Sequence, residues 1–309
     1  MIESLKRLNV YFKEMYPIIP RLGLGYIVAM EIYFIVLLNQ GVVDFTFGLQ
    51  EIILGFTVFS FLCWLRIADD FKDYELDCRL FAHRPLPSGR VTKKDLRVFA
   101  AILIAFTVII NFIFMPKLHF LFCAILYTYG SLMAVWFFQK HKIQKSLPMA
   151  LVTHNPVQMI MNIYIISFVI IKYGLEIFTL HNAMAVFTLY FPALIWEVSR
   201  KIRAPKDETE YVTYSKLFGY KKAVNFVFVV TWMDIITNFI LVWNLSKLSV
   251  IALLINVLWI SWKFIEYKKD PTKYKIVEKV EKYTYIQESM MILTVVAYLV
   301  CSSLGLVII

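Results

Sequence analysis

Cysteine is scarce in this chain, and no two of its four (Cys63, Cys78, Cys123 and Cys301) form a CxxC pair. That spacing argues against a zinc site or a disulfide framework. Charge is scarce as well: Asp, Glu, Lys and Arg make up 17% of the residues, against about 25% in an ordinary soluble domain. No Gly/Ser-rich linker and no soluble stretch of domain size interrupts the sequence, so residues 1–309 read as one domain. The opening MIESLKRLNVYFKEMYPIIPR has neither the apolar core nor the cleavage site of a signal peptide, so the first apolar run is expected to serve as its own insertion signal.

What the chain has in quantity is apolar surface. Hydrophobic residues make up 60% and aromatic residues 17%, with a mean hydropathy of +0.68. Those values predict an all-α polytopic membrane protein. A span needs about 20 mostly apolar residues. Nine segments qualify, at 21–40, 48–68, 96–115, 118–138, 147–171, 182–198, 221–244, 247–265 and 286–308. The linkers between them alternate in charge. Of the 32 Lys and Arg, only Lys117, Lys172 and Lys247 fall after the first, third, fifth or seventh segment. The positive-inside rule then predicts a cytoplasmic N-terminus and, with nine spans, an extracytoplasmic C-terminus. The same alternation accounts for most of the net charge of +10 through orientation and anionic lipid headgroups, and turns the reading away from a nucleic-acid partner.

One stretch breaks the apolar pattern. Directly after FSFLCWLRIA comes DDFKDYELD, residues 69–77. On a helix Asp70, Asp73 and Asp77, spaced i, i+3, i+7, fall within about 60° of one another, with Asp69 beside them. Like charges gathered near a low dielectric repel strongly. A bound divalent cation is the simplest compensation, and oxygen-only ligands suit Mg²⁺, Mn²⁺ or Ca²⁺. A solvated helix end neutralised by Lys72 and Arg79 is the plainer alternative. The following CRLFAHRPLPSGR is turn-rich and basic, with Arg79, His83, Arg84 and Arg90, and Arg66 precedes the acids by about one turn. Carboxylates for a cation beside guanidiniums for an anion is the composition of a phosphate–metal site, and at a membrane edge a lipid-borne phosphate is the economical ligand.

RIADDFKDYELDCRLFAHRPLPSGR resembles the first motif of the UbiA superfamily of intramembrane prenyltransferases. The family has Asn-Asp, then Asp three and seven residues further on, then a basic loop ending in Arg-Pro-Leu-x-Ser-Gly. Asp70, Asp73 and Asp77 stand at its three Asp positions and Arg66 at an upstream Arg. The resemblance implies a bundle of nine transmembrane helices over the whole chain, with the site on the cytoplasmic side of the cell membrane if the source is prokaryotic. It implies that two Mg²⁺ ions hold a prenyl diphosphate between the acidic ends of the second and sixth helices. The allylic C–O bond then ionises, and an aromatic or other lipophilic acceptor captures the carbocation.

Three departures bear on that reading. Asp69 replaces the family's Asn, so DDFKD also reads as the Asp-Asp-x-x-Asp of terpene cyclases, whose chemistry starts from the same ionisation. In WEVSRKIRAPKDETEYVTYSKLFG, Glu197 stands for the first Asp of the family's second motif, but Lys201 sits where the second belongs. Arg200, Lys201 and Arg203 are then expected either to hold the diphosphate as fixed cations or to leave a second metal to Asp207, Glu208 or Glu210. The family's Tyr-x-x-x-Lys after the fourth helix has no clear counterpart, which leaves Lys140 as a diphosphate contact. The expected cation ligands are thus Asp69, Asp70, Asp73, Asp77 and Glu197. The expected diphosphate contacts are Arg66, Arg79, Arg84, Lys140, Arg200 and Lys201. Inside the spans lie Glu31, His154, Asn155, Asn162, Asp234 and Asn238, polar residues that are costly in lipid. His154 and Asn155, just before Pro156, are candidates for the acceptor pocket. A transporter or lipid-binding protein using the acids as a cation site is the rival from another class, disfavoured because the charges cluster at one face.

Overall fold

A computed structural model of the chain describes residues 2–209 and 211–304. Regular structure among the described residues is helical throughout. Eight helical segments there are long and apolar enough to cross a bilayer.

The chain divides into two compact units, Met1–Met30 with Thr46–Lys140, and Glu31–Phe45 with His141–Ile309. The first begins with α1 (Ile2–Glu14) and the start of α2 (Ile18–Asn39). It continues with α3 (Leu49–Lys72), the short α4 (Tyr74–Leu80), α5 (Lys93–Phe114) and α6 (Lys117–Ala134). α3 packs against α5 and α6, and α1 lies on α5. Gly25 of α2 lets that helix approach α3: a Cβ there would stand 2.8 Å from the Phe59 backbone. α5 turns Ile102, Ile109 and Phe112 outward, more than half exposed, as a lipid-facing helix must. Past α6 the chain makes a tight turn in which Trp136, Phe137 and Phe138 all have positive φ (56°, 49° and 58°). Bulky residues rarely adopt that backbone, so the turn is strained.

The second unit takes the rest of α2, α7 (Lys140–Ile143, whose first residue closes the first unit), α8 (Leu147–His154), α9 (Val157–Tyr173), α10 (Leu180–Ala185) and α11 (Tyr190–Ser199). After a loop come α12 (Tyr214–Phe218), α13 (Tyr220–Val242), α14 (Lys247–Lys269) and α15 (Ile276–Ser303). α14 packs on α13 and α15, and α11 packs on both α13 and α15. The C-terminal ends of α2 and α13 are tied by Asn39 Nδ2, which donates to the Leu241 carbonyl at 2.9 Å.

Three segments differ from the sequence expectation, the first being the run predicted as one span at 147–171, which forms α8 and α9 parted at Asn155 and Pro156. The run predicted as one span at 182–198 is two short helices, α10 and α11, separated at residues 186–189, where Leu189 takes φ 61°. The carbonyls freed by that break need donors in an apolar setting. Asn162 of α9 supplies them: its amide donates to Val186 O at 2.9 Å and to Thr188 O. Asn162, one of the polar residues predicted inside a span, therefore pins a broken helix. The span predicted to start at residue 286 belongs to a helix that starts at Ile276 and carries its polar first turns beyond the apolar run.

Candidate active site

α3 ends at Lys72 and α4 starts at Tyr74, so the single helix expected through the acids is interrupted at Asp73 (φ −99°, ψ 7°). The i→i−4 pattern nonetheless crosses the junction, with Asp73 N bonded to Asp69 O and Asp77 N to Asp73 O, both at 2.9 Å. Asp70, Asp73 and Asp77 accordingly remain on one side of the chain. Asp70 and Asp77 are buried, at 5% and 7% exposure, and carboxylates that deep need partners.

Three of the four acids have a cation at contact distance. Arg66 Nη2 lies 2.7 Å from Asp70 Oδ1, Arg84 Nη1 2.8 Å from Asp77 Oδ2, and Lys72 Nζ 2.8 Å from Asp69 Oδ1. The Lys72 ammonium also sits 4.8 Å from the Trp136 ring, joining the strained turn to the acids. Asp73 makes no ion pair among the described residues. Its carboxyl is held above the usual carboxylate range, chiefly by burial and then by Asp69, Asp77 and Asp70, with Lys72 pulling the other way. Tyr11, from α1, is fully buried and donates to Asp70 Oδ2 at 2.6 Å. Burial, and then Asp70, raises the Tyr11 phenol above its ordinary pKa, so it stays a donor.

The basic loop is shaped by its own backbone. Val91 N bonds Pro85 O, Ser88 N bonds Arg84 O, and Gly89 takes φ 76°, which favours glycine. Leu86 and Val91 are buried and anchor it. Arg90 ion-pairs with Glu14 of α1 and donates to His83 O. A narrow cleft is lined by Tyr11, Met15, Asp70, Asp77, Arg84, Leu86 and Pro87. Beside it lies a more open cavity of about 350 Å³, lined by Glu14, Met15, His83, Arg84 and Pro85. Arg84 borders both, so one guanidinium reaches from the acids to a pocket where an anion has room. Arg79 is exposed and pairs with none of the acids among the described residues, and Lys140 is exposed at the start of α7.

The donor set fits a hard divalent cation: carboxylate oxygens only, with Asp70 and Asp77 on the wall of one cleft. Among the described residues no three His, Cys, Asp or Glu side chains already converge as a ligand set. Taking up a cation therefore requires the acids to exchange contacts with Arg66, Lys72 or Arg84.

In the second unit Glu197 accepts from both residues expected to be fixed cations, at 2.5 Å from Arg200 and 2.9 Å from Lys201. Tyr214 stands near enough to feel the Glu197 charge, and burial first, then Glu197, pushes its phenol up to about 12. Glu208 turns into its own loop, where Thr213 donates to it at 2.7 Å and Ser215 also donates. Asp207 is exposed, and Glu210 lies outside the described residues. His154 Nδ1 stays within its own helix, 2.9 Å from Thr153 Oγ1 and 3.1 Å from Ala150 O. The Asn155 amide nitrogen is buried without a hydrogen bond among the described residues. Tyr11 and Tyr214 are the residues that motif spacing missed. A tyrosine carries no local signature, and Tyr11 reaches Asp70 across 59 positions.

Fold and site together define a polytopic helical membrane protein with carboxylates and guanidiniums gathered at a helix end. The sequence matches the UbiA prenyltransferase family over residues 28–280. The chain belongs to that family and is an integral membrane prenyltransferase, which removes the transporter alternative. Its fold is similar to the solved structure of a digeranylgeranylglyceryl phosphate synthase, with a TM-score of 0.66 at 15% identity, covering 94% of this chain and 99% of that one. Comparison with curated proteins finds no significant match.

Proposed function

We propose that the protein transfers a prenyl group from a prenyl diphosphate to an aromatic or other lipophilic acceptor, with Mg²⁺ as cofactor, by ionisation to an allylic carbocation. The observation that carries this reading is the cleft of Asp70 and Asp77 with Arg84 on its wall, opening toward the basic cavity at His83 and Arg84. Bound Mg²⁺ supplies charge neutralisation of the diphosphate leaving group. Asp70, Asp73 and Asp77 hold the cation, with Asp69 at the edge of the set. Arg84 leaves Asp77 and turns its guanidinium to a phosphate oxygen, a bidentate partner it suits. Arg66 keeps one oxygen of Asp70 oriented. Arg79 and Lys140 are second-rank anion contacts on this reading. Glu197, Arg200 and Lys201 carry the altered second motif, to which we assign a cation ligand and fixed diphosphate contacts. His154 and Asn155 are assigned to the acceptor pocket, with the Asn155 amide, which has no partner among the described residues, as the stronger of the two. The chain works as one catalytic domain of nine crossings, N-terminus and site cytoplasmic, α10 and α11 together making one crossing.

The test is direct. Purified protein in lipid is incubated with Mg²⁺, allylic diphosphates of several chain lengths, and a panel of phenolic and glyceryl-lipid acceptors. Diphosphate release and lipid products are followed by mass spectrometry. Acceptor-dependent release with a prenylated product is expected. A cyclised hydrocarbon without acceptor would favour the cyclase chemistry that Asp69 suggests, and no release with any donor would end the reading.

A further inference from the structure

In the N-terminal helix α1 three residues form a stripe toward the acidic site. Arg7, Tyr11 and Glu14 are spaced i, i+4, i+7 and so share one face. Arg7 bonds Asp95 of α5 twice, at 2.6 and 2.9 Å, and Ser4 reinforces the same carboxylate at 2.5 Å. Asp95 is itself fixed in the capping box that starts α5 with Thr92. Glu14 pairs with Arg90 of the basic loop. Tyr11 thus stands between two anchors, one turn away on either side, and its hydroxyl is delivered to Asp70 Oδ2 at 2.6 Å.

That contact does something particular to Asp70. A carboxylate offers about four lone-pair sites on its two oxygens. Tyr11 takes one on Oδ2 and Arg66 one on Oδ1, at 2.6 and 2.7 Å. With a directional partner on each oxygen, the plane of the carboxylate cannot rotate. A lone pair remains on each oxygen, and both belong to a group on the wall of the candidate cation cleft. Burying the phenol, at 0% exposure, without a partner would be costly, so the bond holds both groups in place.

We propose that Tyr11 is a positioning residue for the divalent-cation site, its hydroxyl locking the Asp70 carboxylate in the orientation that binds the cation, which makes α1 part of the active site. The proposal rests on the cation reading given under Proposed function. Tyr11 lies outside the family-matched residues 28–280. Groups that orient a metal ligand typically contribute about 10–100-fold to metal affinity.

The experiment is titration of Mn²⁺ into the full-length protein in nanodiscs without substrate, read as free Mn²⁺ by EPR, for the unaltered chain, Tyr11→Phe, Asp70→Asn and Phe12→Leu. Phe12 is on the same helix, edge-on against Phe99 at 4.9 Å and against the Tyr11 ring at 5.6 Å. Its substitution perturbs the docking of α1 while the Tyr11 hydroxyl is kept. The expected result is saturable binding to the unaltered chain, abolished in Asp70→Asn, weakened about 10-fold in Tyr11→Phe, and unchanged in Phe12→Leu. Unaltered or tighter binding in Tyr11→Phe overturns the proposal, since Tyr11 would then be a bystander or a plug. Equal weakening in Phe12→Leu overturns it too, by reducing the effect to helix docking. Absence of Mn²⁺ binding in the unaltered chain removes the cation reading and this inference together.

Discussion

At the residue scale the acids are not equivalent. Asp69, Asp70 and Asp77 each hold a cation, whereas Asp73 sits at the helix junction without an ion pair among the described residues. Its carboxyl is held above the usual range chiefly by burial and then by the neighbouring acids, a cost that a bound divalent cation would relieve. Asp73→Asn keeps the shape and removes that ligand charge. Turnover is expected to fall about 10²-fold or more while the thermal midpoint without Mg²⁺ holds or rises, because the charge is used chiefly in the transition state. Near-normal turnover in a folded variant would take Asp73 out of the site. The altered second motif yields a further test. With Lys201 and Arg200 acting as fixed cations, the Mg²⁺ dependence of rate should have an apparent order nearer one than two. Lys201→Asp, which restores an acid there, should raise that order, and two essential ions in the unaltered protein would refute the assignment. The ion pairs of Glu197 with Arg200 and Lys201 mean that these cations must leave Glu197 to reach a phosphate.

At the element scale the polar residues inside helices divide into pins and pairs. Asn162 is a pin, holding the carbonyls where the α10–α11 segment breaks. Asn162→Leu leaves both without that donor and is expected to cost about 2 kcal/mol, seen as a lower thermal midpoint in detergent. An unchanged midpoint would show that the break is held by its own turn bonds. Glu31 and Glu288 are a pair: their carboxyls face each other within hydrogen-bonding reach, and Glu31 is 4% exposed. No Lys or Arg forms an ion pair with either among the described residues. Two buried carboxyls so placed cannot both be ionised without strong repulsion. Glu31→Gln should therefore raise the midpoint by about 2–4 °C, equivalent to about 1 kcal/mol, and a fall would mean that the acid itself is needed there.

At the scale of the whole molecule, topology follows from where the charges lie along the chain. A reporter fused after Ile309 is expected to be active only in an extracytoplasmic form, because the basic linkers hold the opposite ends of the helices inside. Cytoplasmic activity of that fusion would mean that the α10–α11 segment does not cross. That segment is where hydropathy reading is weakest, since an apolar run has the same composition whether it is one helix or two.

Run length, charge alternation and motif spacing are properties of consecutive residues, and they sufficed for the helical membrane class, for eight of the nine expected segments as helical stretches of membrane length, and for the closeness of the acids to the basic loop. The i, i+3, i+7 spacing set Asp70, Asp73 and Asp77 on one side whatever the rest of the chain did, and a one-residue break at Asp73 did not change that. Which partner each acid takes could not be read the same way. Arg66 and Lys72 meet their acids within a helical turn, but Tyr11 reaches Asp70 across 59 positions and Asn162 reaches Thr188 across 26. Such contacts have no period in the sequence. They exist because a buried carboxylate or a freed carbonyl must find a donor in the folded interior, and only packing decides which side chain is there to give it.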